Sequence, residues 1–144
     1  MNIKRIVLFA AVLMIIISSL SIVSADVLDF LGGGDNNVNG IDFNIPEGFT
    51  RQNVENGNDS VKANFTNQHT IFTIIVHNSD SKITPEGFNN DISNKFDAYQ
   101  KKSISGHEGF MVNAKKRVYF TYLENDKVVE INAPNEKFIS QLIK

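Results

Sequence analysis

The segment DNNVNGID, residues 35 to 42, has the residue types and spacing with which an EF-hand calcium loop begins. Four residues would supply its oxygen ligands: Asp35, Asn37, Asn39 and Asp42. The twelfth position of such a loop should be a bidentate Glu, but here it is Pro46. Two carboxylates are few for tight Ca²⁺ binding, and a polar tether rich in turn residues explains the same letters. We therefore expect no cofactor and keep Ca²⁺ as the alternative.

The other candidate ligands or general bases are three histidines, His69, His77 and His107. The HEGFM segment at His107 lacks a second histidine at the spacing of a helical zinc motif, and the chain has no Gly-x-Ser-x-Gly elbow. It also has no cysteine, which excludes thiol catalysis and disulfides. The sequence therefore predicts no catalytic residue, although side chains could still converge in the fold.

Two Asn-x-Ser/Thr sequons, at Asn58 and Asn64, are candidate acceptors for N-linked glycans. Asn58 falls in a predicted turn, whereas Asn64 falls on the predicted polar face of a strand. A turn suits a glycan better, so Asn58 is the favoured candidate.

The N-terminus is typical of a secretory signal peptide, because Lys4 and Arg5 precede an uncharged apolar run. Val23 and Ala25 match the small-residue rule for a cut after residue 25. The rival interpretation is an uncleaved anchor over residues 6 to 25, long enough to cross a hydrocarbon core of about 30 Å. Both interpretations predict export to the cell surface or beyond.

Charge argues against a polyanionic partner. The full chain has 14 basic and 16 acidic residues; without Lys4 and Arg5 the mature chain has 12 basic ones and a net charge of −4. The densest basic run, KKR at residues 115 to 117, lies in a predicted turn. We expect no nucleic-acid binding, and membrane contact only through an uncleaved N-terminal segment.

Composition divides the exported chain into a linker and a module. Residues 26 to 40 contain three consecutive glycines followed by Asp and Asn residues, which predicts a flexible linker. Hydrophobic periodicity resumes at Ile41, so residues 41 to 144 are predicted to fold.

Within the module, hydrophobic periodicity predicts strands and two helices. The predicted strands are IDFNI, RQNVE, SVKANFTN, TIFTIIVHN, EGFMVNA, VYFTYL and KVVEIN. A helix is predicted from Thr84, with the apolar stripe Phe88, Ile92, Phe96 and Tyr99, and another from about Pro134 that buries Phe138, Ile139, Leu142 and Ile143.

The pattern favours an α+β fold. IFTIIV and VYFTYL are apolar on both faces, which predicts central strands covered on both sides, whereas IDFNI and VKANFTN should be outer strands. We expect a mostly antiparallel sheet of about six strands with one helix on each face, a three-layer sandwich.

The leader running into LDFLGGG and IDFNIPEGF resembles small exported proteins of methanogenic archaea whose role is largely uncharacterised. The module also resembles PsbP-like domains, in its opening strand with Pro and Gly, an I-x-G turn after the main helix at residues 104 to 106, and a C-terminal helix. This resemblance implies the sandwich and an accessory or binding role, and it implies no active-site residues.

Two classes of function follow. The first is an exported, non-enzymatic binding or accessory module at the cell envelope, whose partner is an envelope or extracellular protein or a glycan. The second is a small extracytoplasmic hydrolase or metal-dependent enzyme whose residues meet only in the fold. A deep pocket with a histidine beside carboxylates would favour the enzyme, and a shallow apolar patch the binding module.

Overall fold

The computed structural model describes residues 36–82, Asn90 and residues 99–144. These residues form a seven-stranded sheet, a two-stranded sheet and one short helix. The elements are β1 (Asn37–Val38), β2 (Ile41–Asp42), β3 (Thr50–Asn56), β4 (Ser60–Thr66), β5 (Ile71–His77), β6 (Tyr99–Ile104), β7 (His107–Ala114), β8 (Arg117–Glu124), β9 (Lys127–Ala133) and α1 (Glu136–Leu142).

The large sheet is antiparallel throughout and has the order β3-β4-β5-β9-β8-β7-β6. It consists of two meanders, β3-β4-β5 and β6-β7-β8-β9. They join along β5 and β9, where residues 73 to 76 pair with residues 129 to 132.

Three of the hairpins close with two-residue turns in which both residues have positive φ. These are Asn39–Gly40 between β1 and β2, Ser105–Gly106 between β6 and β7, and Asn125–Asp126 between β8 and β9. Two successive positive φ values define the type I′ turn, whose twist matches that of the strands it joins. Asn, Asp and Gly tolerate this conformation best, so these residues set the hairpin registers.

One face of the large sheet, which we call the first face, carries the hydrophobic core. Phe65, Phe72 and Phe120 project from it and are fully buried. The rings of Phe65 and Phe72 stack at 4.9 Å between centroids. Other sheet residues complete this side of the cluster, and the β1–β2 hairpin, α1 and the residues that follow them pack on it with Val38, Ile41, Phe43, Ile139, Leu142 and Ile143.

The opposite face, which we call the second face, is also buried over much of its area but carries polar groups. The strand registers place on it all five buried polar residues of the described chain: Lys62, Thr73, His77, Thr121 and Asn132. Two of them, Thr73 on β5 and Asn132 on β9, lie directly opposite each other.

The predicted three-layer sandwich is wrong. The described residues are mostly antiparallel sheet with a single short helix, which is not a sheet with one helix on each face. The helix predicted from Thr84 lies largely outside the described residues. Its last stripe residue, Tyr99, instead begins β6, and the predicted I-x-G turn joins two strands rather than following a helix.

The predicted strand positions are also corrected in part. IFTIIV and VYFTYL lie in β5 and β8, on either side of the central β9, so they are near the centre but not adjacent. IDFNI is not an outer strand of the large sheet: Ile41 and Asp42 form β2 of the small one. VKANFTN is β4, an interior strand, and the edges are β3 and β6.

The folded module includes residues 36 to 40, which the composition assigned to the linker. Val38 is 2% exposed and packs in the core, which holds β1 against the large sheet. At the other end, the C-terminal helix is present as α1, and the side chain of Asn135 caps it by accepting a 2.9 Å hydrogen bond from Phe138 N. Among the described residues, no helix has the length and apolar character that a membrane crossing requires.

Candidate functional site

The calcium candidates lie in the β1–β2 hairpin, except Asp35, which lies outside the described residues. Asn37 donates a 2.7 Å hydrogen bond from Nδ2 to Asp42 Oδ1, and its Oδ1 accepts from Gly40 N at 3.0 Å. The Nδ2 of Asn39 donates to Asn78 Oδ1 at 2.8 Å and to Val76 O at 3.2 Å. These side chains serve the type I′ turn and its attachment to β5.

Two cations clamp this hairpin. The Nζ of Lys127 donates a 2.5 Å hydrogen bond to Asn39 O, and Arg51 donates a 2.6 Å one to Asn37 O. A Cβ at Gly40 would lie 3.1 Å from Lys127 Nζ, so the ammonium sits directly against the turn. A cation bound there would meet the charge of Lys127. The adjacent cleft, about 370 Å³, has Val54, Val61 and both cations in its walls.

The histidines do not converge. His69 is exposed in the β4–β5 connection, whereas His77 ends β5 and is 2% exposed. His77 Nε2 lies 2.6 Å from Glu130 Oε1 on the second face. No group of three His, Asp or Glu side chains that could hold a metal ion is found in the described part of the chain.

His107 begins β7, and its ring lies 4.8 Å, centroid to centroid, from that of Tyr122. Tyr122 is 4% exposed, and its hydroxyl has no hydrogen-bond partner among the described residues. Burial, together with the nearby carboxylate of Glu124, raises the pKa of Tyr122 above its ordinary value. This phenol therefore stays protonated throughout the neutral range.

The two sequons occupy different environments. Asn58 is exposed in the turn between β3 and β4. Asn64 is half-buried within β4, which is hydrogen-bonded to β3 on one side and to β5 on the other.

A second cleft, about 450 Å³ in volume, lies over the β6–β9 meander, and we call it the β6 cleft. Its walls combine apolar and polar side chains: Lys101, Lys102, Ser103, Glu108, Gly109, Phe110, Thr121, Tyr122, Leu123 and Val128. By strand register, Lys101, Phe110 and Thr121 form one row across the second face. The cleft therefore opens mainly on that face.

The β6 cleft is lined by both apolar and charged side chains. The ammonium of Lys101 lies 5.9 Å from the ring centroid of Phe110, within reach of a cation–π interaction. Leu123 is 43% exposed at the side of the cleft. Lys102, in contrast, forms a 2.5 Å ion pair with Glu136 of α1, so Lys101 is the lysine that can meet a ligand.

The β6 cleft borders a sheet edge. β6 is the last strand in the order and pairs with β7 alone among the described strands. A strand with one neighbour presents backbone N–H and C=O groups on its other side, which can pair with an incoming extended chain.

Sequence periodicity missed β6 because YQKKSI has no alternation of apolar and polar residues. One signal was available, the Ser105–Gly106 pair before the apolar strand HEGFMV, since such pairs close hairpins. The cleft residues from Glu108 to Val128 were predicted only as parts of strands, and Lys101, Lys102 and Ser103 were assigned to no strand.

The fold and its clefts define a small, mainly antiparallel β module with a cleft beside one edge strand. Scans against protein-family models, curated proteins and solved structures found no match to this chain. Function is therefore inferred from the residues themselves.

Proposed function

We propose that the protein is an exported, non-enzymatic binding module at the cell envelope, which holds an extended segment of a partner protein along β6. The observation that carries the proposal is the β6 cleft lying beside an edge strand of the sheet. A segment that adds to β6 gains main-chain hydrogen bonds, and its alternate side chains face the cleft.

The partner's chemistry follows from the walls of the cleft. Phe110 and Leu123 favour an apolar side chain, which would be buried on binding. Lys101 favours an acidic residue in the segment, because its partner among the described residues is the Phe110 ring rather than a carboxylate. The preferred segment thus carries an apolar and an acidic residue two positions apart, so that both side chains face the cleft.

A binding role also agrees with the position of the strongest histidine–carboxylate contact. His77 and Glu130 do not belong to the walls of either cleft. A general base needs to lie within hydrogen-bond reach of a substrate. The pair is better explained as a buried polar contact that secures β5 against β9.

The test uses two labelled octapeptides, one with the repeat Val-Thr-Asp-Thr and the other with the repeat Val-Thr-Lys-Thr, which place Val and the charged residue on one face of a strand. The full chain is the binding partner and fluorescence anisotropy is the readout. We expect the acidic peptide to bind more tightly. Lys101→Glu should weaken its binding about fivefold, because reversing one exposed charge is worth about 1 kcal/mol.

The matched control is Lys115→Glu, which makes the same charge change in the exposed turn between β7 and β8. It should leave the affinity unchanged, whereas Phe110→Ala should reduce the affinity for both peptides. Equal binding of the two peptides, or equal effects of Lys101→Glu and Lys115→Glu, would overturn the proposal.

A further inference from the structure

The two sequons of this chain differ in accessibility and in the state of their polar groups. An N-linked glycan needs an asparagine amide that a transferase can reach, and a hydroxyl two residues later. Both sequons satisfy the pattern in sequence, so the fold must distinguish them.

The side chain of Asn64 is hydrogen-bonded within the sheet. Its Oδ1 accepts a 2.8 Å hydrogen bond from Thr73 Oγ1 across the β4–β5 pair. The hydroxyl of its sequon partner, Thr66, donates toward Asn67 O at 2.8 Å and Thr70 O at 3.1 Å. A glycan attached to Asn64 would have to extend outward from a half-buried position on the second face.

Asn58 has none of these constraints in the described structure. It is exposed, as are its neighbours Gly57 and Asp59, in the short connection between β3 and β4. Its backbone carbonyl accepts a 3.5 Å hydrogen bond from Asn78 Nδ2, which leaves the side-chain amide uninvolved in that contact. The turn itself is held by a 2.8 Å hydrogen bond from Gly57 N to Ser60 O, which needs no side chain of the sequon.

We propose that Asn58 is a site of N-linked glycosylation and that Asn64 is not. In this step Asn58 Nδ2 forms a bond to the anomeric carbon of an oligosaccharide carried on a lipid phosphate. The bond from that carbon to the phosphate oxygen breaks, the lipid phosphate leaves, and a base of the transferase takes the amide proton. The proposal requires the export predicted by the N-terminal segment, and it is independent of the β6 cleft.

The location has a consequence for the sheet. Asn58 lies beside β3, which is one edge of the large sheet, whereas β6 is the other edge. A glycan would shield the β3 edge from pairing with other chains and would leave the β6 edge open.

The test is the intact mass of the full chain purified from its source organism, with glycopeptide mapping. We expect one glycan in the natural chain and in Thr66→Ala, none in Ser60→Ala, and retention in Ser60→Thr, because threonine preserves the sequon. These substitutions leave both asparagines in place, so loss of glycan does not depend on altered asparagine packing.

A natural chain with the bare polypeptide mass would overturn the proposal, as would a glycan that survives Ser60→Ala. Glycans at both positions would overturn the exclusion of Asn64.

Discussion

The two faces of the large sheet are buried by different kinds of side chain. The first face is filled by phenylalanines and aliphatic residues, and it also buries the hydroxyl of Tyr122. The second face buries Lys62, His77 and Asn132 as well as apolar residues. Burial in this sheet therefore serves two purposes: mainly non-directional packing on the first face and directional pairing on the second.

The directional pairing is specific in each case. Lys62 Nζ lies 3.3 Å from Glu55 Oε2, and His77 contacts Glu130. Arg117 donates to both the side chain and the backbone carbonyl of Asn132, and burial lowers the pKa of this guanidinium. Such contacts are costly to break from one side, because the remaining partner stays buried.

The largest effect should come from truncating the first face. Phe72→Ala removes a ring that is fully buried and packs against Phe49, Phe65 and Phe138. We expect a loss of about 3–5 kcal/mol in the free energy of unfolding, measured by urea denaturation.

The comparison variant is Phe110→Ala, which truncates a half-buried ring on the second face. Its expected loss is about 1–2 kcal/mol, since less apolar surface returns to water. Equal losses at the two positions would contradict the assignment of the core to the first face.

A smaller effect should come from breaking the second-face pair. Glu130→Ala leaves His77 buried without its carboxylate, and we expect a cost of about 1–3 kcal/mol. Replacing both residues with leucine should recover much of the loss, because no buried polar group is then left alone. A double-mutant cycle at pH 7 measures the coupling, and additive single effects would show that the contact is not structurally important.

The smallest effect at neutral pH should come from Tyr122→Phe, which removes only a hydroxyl without a described hydrogen-bond partner. Its effect should emerge in alkali. The folded-state pKa of Tyr122 is raised, so the unfolded chain loses this proton first, near pH 10. The contribution is fully present below about pH 10 and falls above it by about 1.4 kcal/mol per pH unit.

The measurement is the free energy of unfolding at several pH values from 8 to 11 for both proteins. The natural chain should lose stability more steeply than Tyr122→Phe above about pH 10. Identical slopes would contradict the burial of the phenol.

Strand identity was predictable where one or both faces are apolar. The patterns of β5, β8 and α1 were sufficient to locate these elements, because their side chains alternate or recur with the period of the element. Strand order was only partly predictable. Central β9 contains Glu130, which looks like a solvent-facing residue until its partner His77, far away in sequence, is known.

Two elements escaped prediction for different reasons. β6 is an edge strand with two lysines, and edge strands carry such charges without an apolar pattern. Its first residue, Tyr99, also continues the helical spacing of the apolar stripe predicted from Phe88 to Phe96. The β1–β2 hairpin was hidden because Asn39–Gly40 resembles both a linker and a calcium loop, although Asn-Gly between Val38 and Ile41 is a strong type I′ signal. The β6 cleft could not be predicted, because it depends on the register of strands from β6 to β9.

The position of β9 also has a consequence for when the protein can fold. Among the described strands it is the last along the chain, yet it joins the two meanders at the middle of the sheet. The bridge between Phe43 and Ile143 likewise connects nearly opposite ends of the described chain. Until residues 127 to 133 have been synthesised, β5 and β8 lack the strand that lies between them, and such long-range pairing forms slowly. The seven-stranded sheet can therefore be completed only after nearly all of the described chain has been made.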